Sequence, residues 1–366
     1  MIVPEHPKVS IILPVYNAVA VLNDALDSAL GQTLAETEVI AVDDGSVDGS
    51  ALLLQQRADV DPRLRFFQQS GNSGTLAARN RGLRECRGEY VMFLDPDDFL
   101  ERNAAAELSA LADRTHADVI HFGTREFVRK ADGGKQPLYN WTNPEKKQLS
   151  GKGTVLRDLL RGGHNWSLCF KLVRTEVYRK ALSETEELFC IMGEDLYFYL
   201  ATAYFAESFL QTGKAYYHYD TTIGITAPRT VSPKTFQRIA TLFDALEKSE
   251  SFLQRHHILK DPVLAAGWEN ILRGQYLVLW NRWYSCLAPG ERGETGEYLL
   301  HRAGNKELFL LSIFNENDYL RENQEFLKFA CGIYKILNCF FPKNSYMRMK
   351  LKTWYKKWKS KREASK

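Results

Sequence analysis

The chain has 366 residues, 45% hydrophobic, 12% aromatic and 25% charged. These values exclude a disordered, collagen-like or solvating polar chain and exceed one usual core of ~100–200 residues, so one enzyme-sized domain plus an extension is expected. The net charge of +3 hides a split: residues 343–366 hold ten Lys/Arg and one Glu, whereas residues 1–342 hold 38 Lys/Arg against 44 Asp/Glu, an acidic body of −6 and a tail of +9. Cys86, Cys169, Cys190, Cys286, Cys331 and Cys339 lie far apart without a CxxC pair, which argues against structural zinc or a disulfide framework and suits a reducing cytosol. Met1–Pro7 lacks a basic segment followed by an apolar one, so no signal peptide is expected.

Up to residue 123 two periods alternate. Val9–Leu13, Glu38–Val42, Arg65–Gln68, Tyr90–Leu94 and Val119–Phe122 are strand-like runs, and Ala18–Leu30, Ala51–Ala58, Thr75–Cys86 and Arg102–Asp113 between them carry apolar residues at helical steps. This βα alternation predicts an α/β fold with a mainly parallel, doubly wound sheet. Residues 124–150, with Gly133-Gly134, Pro137 and Pro144, read as loops and a hairpin. A helix at Thr154–Arg161, a strand at Leu168–Val173, a helix at Glu194–Ala206 and a strand at Ala215–Tyr219 then complete a domain over residues 1–232, with a first half at 8–123 and a second at 124–232. A helical region over 233–341 follows, clearest at Phe236–Gln254, Val263–Tyr284 and Glu297–His301.

Ligands of open parallel sheets bind beyond the carboxyl ends of the strands. Here those ends read Pro14-Val15-Tyr16-Asn17, Asp43-Asp44-Gly45-Ser46 and Asp95-Pro96-Asp97-Asp98. Five carboxylates on one edge would repel one another and raise their own pKa values, so an oxygen-ligated divalent cation, Mg²⁺ or Mn²⁺, is expected, and with it a phosphorylated substrate.

Residues 8–123 resemble the nucleotide-binding half of the inverting GT-A glycosyltransferases of family 2, of the bacterial surface-polysaccharide type. The resemblance rests on Val9–Asn17, on Ile40–Asp48, on Gly71–Gly82 and on Phe93–Asp98, which resembles the DxD motif. One DxD alone is a weak signal, whereas four motifs in family order at strand ends are specific. The resemblance implies that Asp44 accepts from a uracil N3–H, that Pro14, Tyr16, Asn17 and Asp43 line the nucleotide, that Asp95 holds the ribose, and that Asp97 and Asp98 hold the metal. The competing readings are a capped strand-end turn for Asp43–Ser46 and an acidic loop for the DxD. Arg79 either reaches nucleotide or phosphate, or faces water from an amphipathic helix.

Gly193-Glu194-Asp195 resembles the family's Glu-Asp motif about a hundred residues later, which makes Asp195 the general base for the acceptor hydroxyl, with Glu194 a weaker candidate. Both also suit a helix dipole. Single displacement with one base inverts the anomeric centre, so the resemblance implies transfer of a hexosyl or N-acetylhexosaminyl group from a UDP-sugar. Tyr216–Asp220 resembles an aromatic strand preceding a lid, but His218-Tyr219 stands where Tyr-Arg is common. His218 is therefore weighed as a phosphate or metal contact against a structural hydrogen bond, and Arg229 or Lys234 as a replacement for the missing Arg. Trp141, Trp166 and His164 offer sugar-stacking faces or core, and Lys171-Leu172 resembles a structural Trp…Lys-Leu segment.

In the tail (342–366), Met347, Leu351, Trp354 and Trp358 share one helix face amid Lys and Arg, the pattern of a helix lying in an anionic membrane interface; the apolar stretch Phe326–Phe341 is too short and too charged to span a bilayer. A disordered extension and a nucleic-acid patch are the rivals, the latter disfavoured by the acidic cleft. The expectation is a cytoplasmic protein held peripherally at the inner face of the membrane, acting without nucleic acid on a saccharide or lipid-linked acceptor. A sugar nucleotidyltransferase or a dehydrogenase would want a Gly-rich loop after strand one, where Pro14–Asn17 stands. A non-catalytic glycan- or membrane-binding protein on a decayed transferase fold would not need the acidic motifs.

Overall fold

A computed structural model describes residues 5–304 apart from residue 143 and residues 225–229, and the backbone alone over 139–142. Arg229, the apolar stretch 326–341 and the basic tail lie outside the described residues, as does the side chain of Trp141. The chain divides into two compact units, residues 1–229 with 237–268, and residues 230–236 with 269–366.

Chain order begins β1 (Val9–Val15), α1 (Leu22–Leu30), β2 (Thr37–Asp43), α2 (Ser50–Val60), β3 (Leu64–Gln68), α3 (Thr75–Glu85) and β4 (Tyr90–Phe93), the alternation expected from the two periods. It continues with β5 (Phe99–Leu100), α4 (Ala104–Thr115), β6 (Val119–Arg129), β7 (Lys135–Thr142), β8 (Lys147–Ser150), α5 (Thr154–Leu160), β9 (Lys171–Arg174), α6 (Thr175–Glu184), α7 (Glu194–Phe205) and β10 (Ser208–Asp220). The last helices are α8 (Pro233–Ile239), α9 (Leu242–Arg255), α10 (Pro262–Cys286) and α11 (Arg292–Arg302).

The sheet runs β3-β2-β1-β4-β9-β6-β10-β5, with β7 on β6 and β8 on β10. β1 to β4 pair in parallel, as do β6 and β10, while β9 is antiparallel to both its neighbours, β4 and β6. This is a mixed α/β fold with a mostly parallel central sheet. β1, β2 and β4 are buried along their whole length, as their unbroken apolar runs require of strands covered on both faces. The parallel register sets Ile12 beside both Ile40 and Phe93, so the chain leaves β1, β2 and β4 at the same edge.

Three local differences from the sequence expectation have physical causes. Helix α1 starts at Leu22 rather than Ala18 because Ala18 and Val19 donate their N–H groups to Ser50 Oγ and Asp48 of the next crossover, which holds 18–21 as a turn. The strand expected at Val119–Phe122 runs on to Arg129 and pairs with β7, which forms the hairpin expected within 124–150. The expected helix Phe236–Gln254 is two, with Ala240-Thr241 between α8 and α9. The first unit extends beyond residue 232 because α9 packs on α7: a Cβ on Gly193 would lie 2.4 Å from Leu242 Cδ1. In the second unit α10 and α11 are joined through Trp283, whose indole N–H reaches Thr295 Oγ1 at 3.1 Å and which stacks on Trp280. Among the described residues no helix is long and apolar enough to cross a membrane.

Candidate active site

The site is built on the edge where β1, β2 and β4 end. Asn17, in the left-handed region at φ 49°, accepts the Val47 N–H on Oδ1 (2.9 Å) and donates its own N–H to Ser46 Oγ (2.9 Å), which ties the first strand end to the second. Asp43 is wholly buried, and its carboxylate accepts from Ser46 N–H (3.1 Å) and Gln68 Nε2 (3.3 Å). It shapes the turn from beneath and is closed to solvent in this arrangement, unlike the open wall position expected of it. Asp44 accepts from Ser73 N–H and Gly74 N–H, both at 2.8 Å, and from Gln69 Nε2 at 2.7 Å. It anchors the glycine loop over Gly45, where a Cβ would meet the Gly71 Cα at 2.7 Å, and burial raises its pKa. A carboxylate has about four acceptor positions, so one remains for a base N–H. Pro14 is buried at the strand end, and Tyr16 lies 43% exposed at the mouth.

The Asp-rich turn after β4 separates its carboxylates by direction. Asp95 faces the cleft, its N–H donated to Tyr217 Oη at 3.1 Å. Asp98 points the other way and is 1% exposed, accepting from Tyr217 O–H at 2.7 Å and Asp220 N–H at 2.7 Å. Burial and then the neighbouring Asp97 and Asp95 push its pKa well up, so in this arrangement it is a buried acid bracing the turn rather than an open metal ligand. Asp97 is half-buried, has no side-chain hydrogen-bond partner on another residue, and burial followed by the Asp95 and Asp220 charges raises its pKa to about 7. Among the described residues no three His, Cys, Asp or Glu side chains form a ready-made cation cage.

Helix α3 opens after the left-handed Gly74 and carries Arg79 one turn in. Arg79 is 3% exposed, which removes the solvent-facing alternative. One guanidinium nitrogen meets Asp95 Oδ1 at 2.8 Å; the other meets Asp195 Oδ1 at 2.5 Å and Glu194 Oε1 at 3.4 Å. Asp195 Oδ2 accepts the Leu168 N–H at 3.2 Å, and its side chain keeps 23% exposure. Both acids open α7 behind Gly193 (φ 88°), where the helix dipole also favours them. Burial and then the Asp195 charge push Glu194 up to about 7, against the pull of Arg79. Asp95, Arg79, Glu194 and Asp195, the outermost 116 positions apart in the chain, thus form one linked cluster.

Residues 10–180 match the model of the glycosyl transferase family 2. The chain carries a family 2 glycosyltransferase domain. It is 28% identical over 261 residues to the putative glycosyltransferase EpsH of Bacillus subtilis (strain 168), 70% of this chain and 72% of EpsH. It is 37% identical over 117 residues to the uncharacterized glycosyltransferase EpsJ of the same organism, 32% of this chain and 34% of EpsJ. To the chondroitin synthase of Escherichia coli it is 44% identical over 98 residues, 27% of this chain and 14% of that protein. The chain therefore spans 34% of EpsJ and 14% of chondroitin synthase, though 72% of EpsH. The crystal structure of S. aureus TarS 1-349 in complex with UDP-GlcNAc superposes with a TM-score of 0.51 at 20% identity, covering 85% of this chain and 93% of that one, which is a likeness of fold.

Several residues of the glycosyltransferase domain take places other than those expected. His218 stacks on Phe99 (4.2 Å between rings) and bonds Glu101 at 3.0 Å, so it has the structural alternative and not a contact with the DxD carboxylates. His164 is buried between Asp158 and Tyr199 and offers no stacking face. Other groups come in that motif reasoning passed over. Cys169 donates its thiol to Asp95 Oδ2 at 3.3 Å, Tyr217 latches the DxD turn, and Arg129 joins Asp220 (3.0 Å), Asp24 (2.6 Å) and the Asp97 carbonyl (3.3 Å). The aromatic run at 216–219 signalled a strand, but nothing in it marks which hydroxyl faces the turn.

Proposed function

We propose that the chain is an inverting glycosyltransferase that moves a sugar from a nucleotide-diphosphate donor, a UDP-sugar, to a hydroxyl of a saccharide acceptor in lipopolysaccharide, capsule or other surface-glycan synthesis. The observation that carries this reading is the Arg79 bridge, which brings the DxD acid Asp95 and the helix-opening acid Asp195 to the two sides of one guanidinium. A base and a donor-holding acid must flank the same anomeric carbon for single displacement, and this spacing fits that demand. In the proposed reaction Asp195 takes the proton of the acceptor hydroxyl as that oxygen attacks, and the nucleotide leaves from the opposite face. Asp44 and Tyr16 orient the base, Asn17 fixes the first strand end against the second, and Asp95 orients the ribose. The complex of TarS with UDP-GlcNAc and a relative named for chondroitin synthesis support the donor and acceptor classes.

Asp97 fits a divalent cation, Mn²⁺ or Mg²⁺: it is an acid without a side-chain partner on another residue, raised by burial and then by the neighbouring Asp95 and Asp220 charges, and a cation held there would relieve that repulsion. Such a cation supplies charge neutralisation on the departing nucleotide. The tail would hold the enzyme at an anionic membrane beside a lipid-linked acceptor, and removing residues 343–366 should then abolish sedimentation with anionic vesicles; retained binding would sink that part.

The test of the whole is a panel of nucleotide sugars with Mn²⁺, following nucleotide release with and without saccharide acceptors. UDP-sugars should turn over in a cation-dependent manner, and Mn²⁺-dependent UDP binding should weaken as pH falls through about 7, because below that value Asp97 holds a proton that competes with the cation. Turnover and binding indifferent to Mn²⁺ would remove the cation from the proposal, and no turnover of any donor would remove the enzyme.

A further inference from the structure

Lys171, the first residue of β9, is 0% exposed. A buried ammonium is expensive unless compensated, and among the described residues this one has no ion-pair partner. All its hydrogen bonds go to one short segment: Asn165 O at 2.9 Å, Ser167 O at 2.5 Å and Asn165 Oδ1 at 3.3 Å. Its remaining face lies over the Tyr199 ring of α7, 4.2 Å from the centroid. Burial lowers its pKa to about 7.

The segment so held is part of the reaction cluster. Asn165 Oδ1 also accepts the Ser167 N–H at 3.2 Å, so Lys171 and this bond together close the loop. The next residue, Leu168, donates its N–H to Asp195 Oδ2, and Cys169 donates to Asp95 Oδ2. Asp195 has one oxygen on Arg79 and the other on this loop. Arg79 comes from α3 and restrains the carboxylate from the donor side; the loop is the restraint from the other side. The ammonium, carried on β9, touches the loop and the Tyr199 ring of α7 at once.

We propose that Lys171 is a positioning residue for Asp195: it fixes the Asn165–Leu168 loop so that the Leu168 N–H orients the carboxylate toward the acceptor hydroxyl. This rests on the reading of Asp195 as base. A base displaced by ~1 Å can lose about a hundredfold in rate while substrate binding is untouched, and that separation is what distinguishes positioning from general support of the fold.

Lys171→Met keeps the length and removes the charge and all three donated bonds. It should lower kcat by about ten- to a hundredfold, with the Kd for UDP and Mn²⁺ and the donor KM within about twofold, and should speed hydrogen exchange at the Leu168 amide. Asn165→Gly, at an exposed position, loosens the same loop without touching the buried lysine; it should give the same kcat-only loss, smaller in size, and serves if the first variant does not fold. An unchanged kcat in either folded variant, or a loss of donor affinity in step with kcat, overturns the proposal. Asp195→Asn is measured alongside. If it is active the base reading itself fails, whereas an inactive Asp195→Asn beside a fully active Lys171→Met fails the positioning role alone.

Discussion

Replacing Asp195 by Asn should lower kcat by about a thousandfold or more, within the range of general-base removal, and leave UDP–Mn²⁺ affinity within about twofold. The amide retains the shape of the carboxylate but cannot take the acceptor proton. It also cannot satisfy both neighbours, because Arg79 and the Leu168 N–H each donate to a different Asp195 oxygen and one of them would face an NH₂. A loss of about 1 kcal/mol in stability should accompany the loss of rate. Rapid-quench transfer and calorimetric UDP titration on the same preparation separate the two effects. A variant that transfers at the wild-type rate refutes Asp195 as base.

Arg79→Met should be nearly as severe, by a different route. One guanidinium serves Asp95, Asp195 and Glu194, and taking away one partner of a buried charge network leaves the others uncompensated at a cost of about 3–5 kcal/mol if they stay ionised. They need not stay ionised. Burial already holds Glu194 at about 7, and Arg79 is the attraction that opposes it. Without the guanidinium Glu194 keeps its proton to higher pH. The expected result is a fall in kcat/KM of about a hundredfold or more near pH 7, with part of the activity returning as pH is raised toward 9, as Glu194 ionises and the local charge is restored. Arg79→Lys, with one compact cation, should lie between, because it cannot reach both sides. A loss of the same size at every pH from 6 to 9 would contradict the electrostatic role.

How far the sequence told this story depends on the range of each interaction. The βα alternation was legible because period 2 and period 3.6 are written in consecutive residues, and the strand ends then fell on one edge through parallel register. Asp95, Arg79, Glu194 and Asp195 were singled out by motif and are linked in one cluster, while Asp44 anchors the glycine loop. What could not be read is direction. Asp97 and Asp98 are adjacent and identical in chemistry, yet the first is half-buried without a side-chain partner on another residue and the second is held under Tyr217 and Asp220, about 120 residues away. Asp43 and Asp44 divide in the same way, the first turned under Ser46 and the second toward the glycine loop. His218 looked available because its partners Phe99 and Glu101 belong to a two-residue strand and its exit, too short to leave a periodic signal. β9 is antiparallel within a parallel frame, a reversal that the βα alternation does not encode. Helix α6 follows β9 without a loop, so no turn signal announced it.

The central claim, single displacement by one base across the Arg79-bridged cleft, is tested most directly by the anomeric configuration of the product. With an α-linked UDP-sugar turned over by the wild-type chain, the one-bond carbon–proton coupling of the new linkage should report a β-glycoside. An α-linked product would require retention, and with it a mechanism in which Asp195 does not act as the sole base.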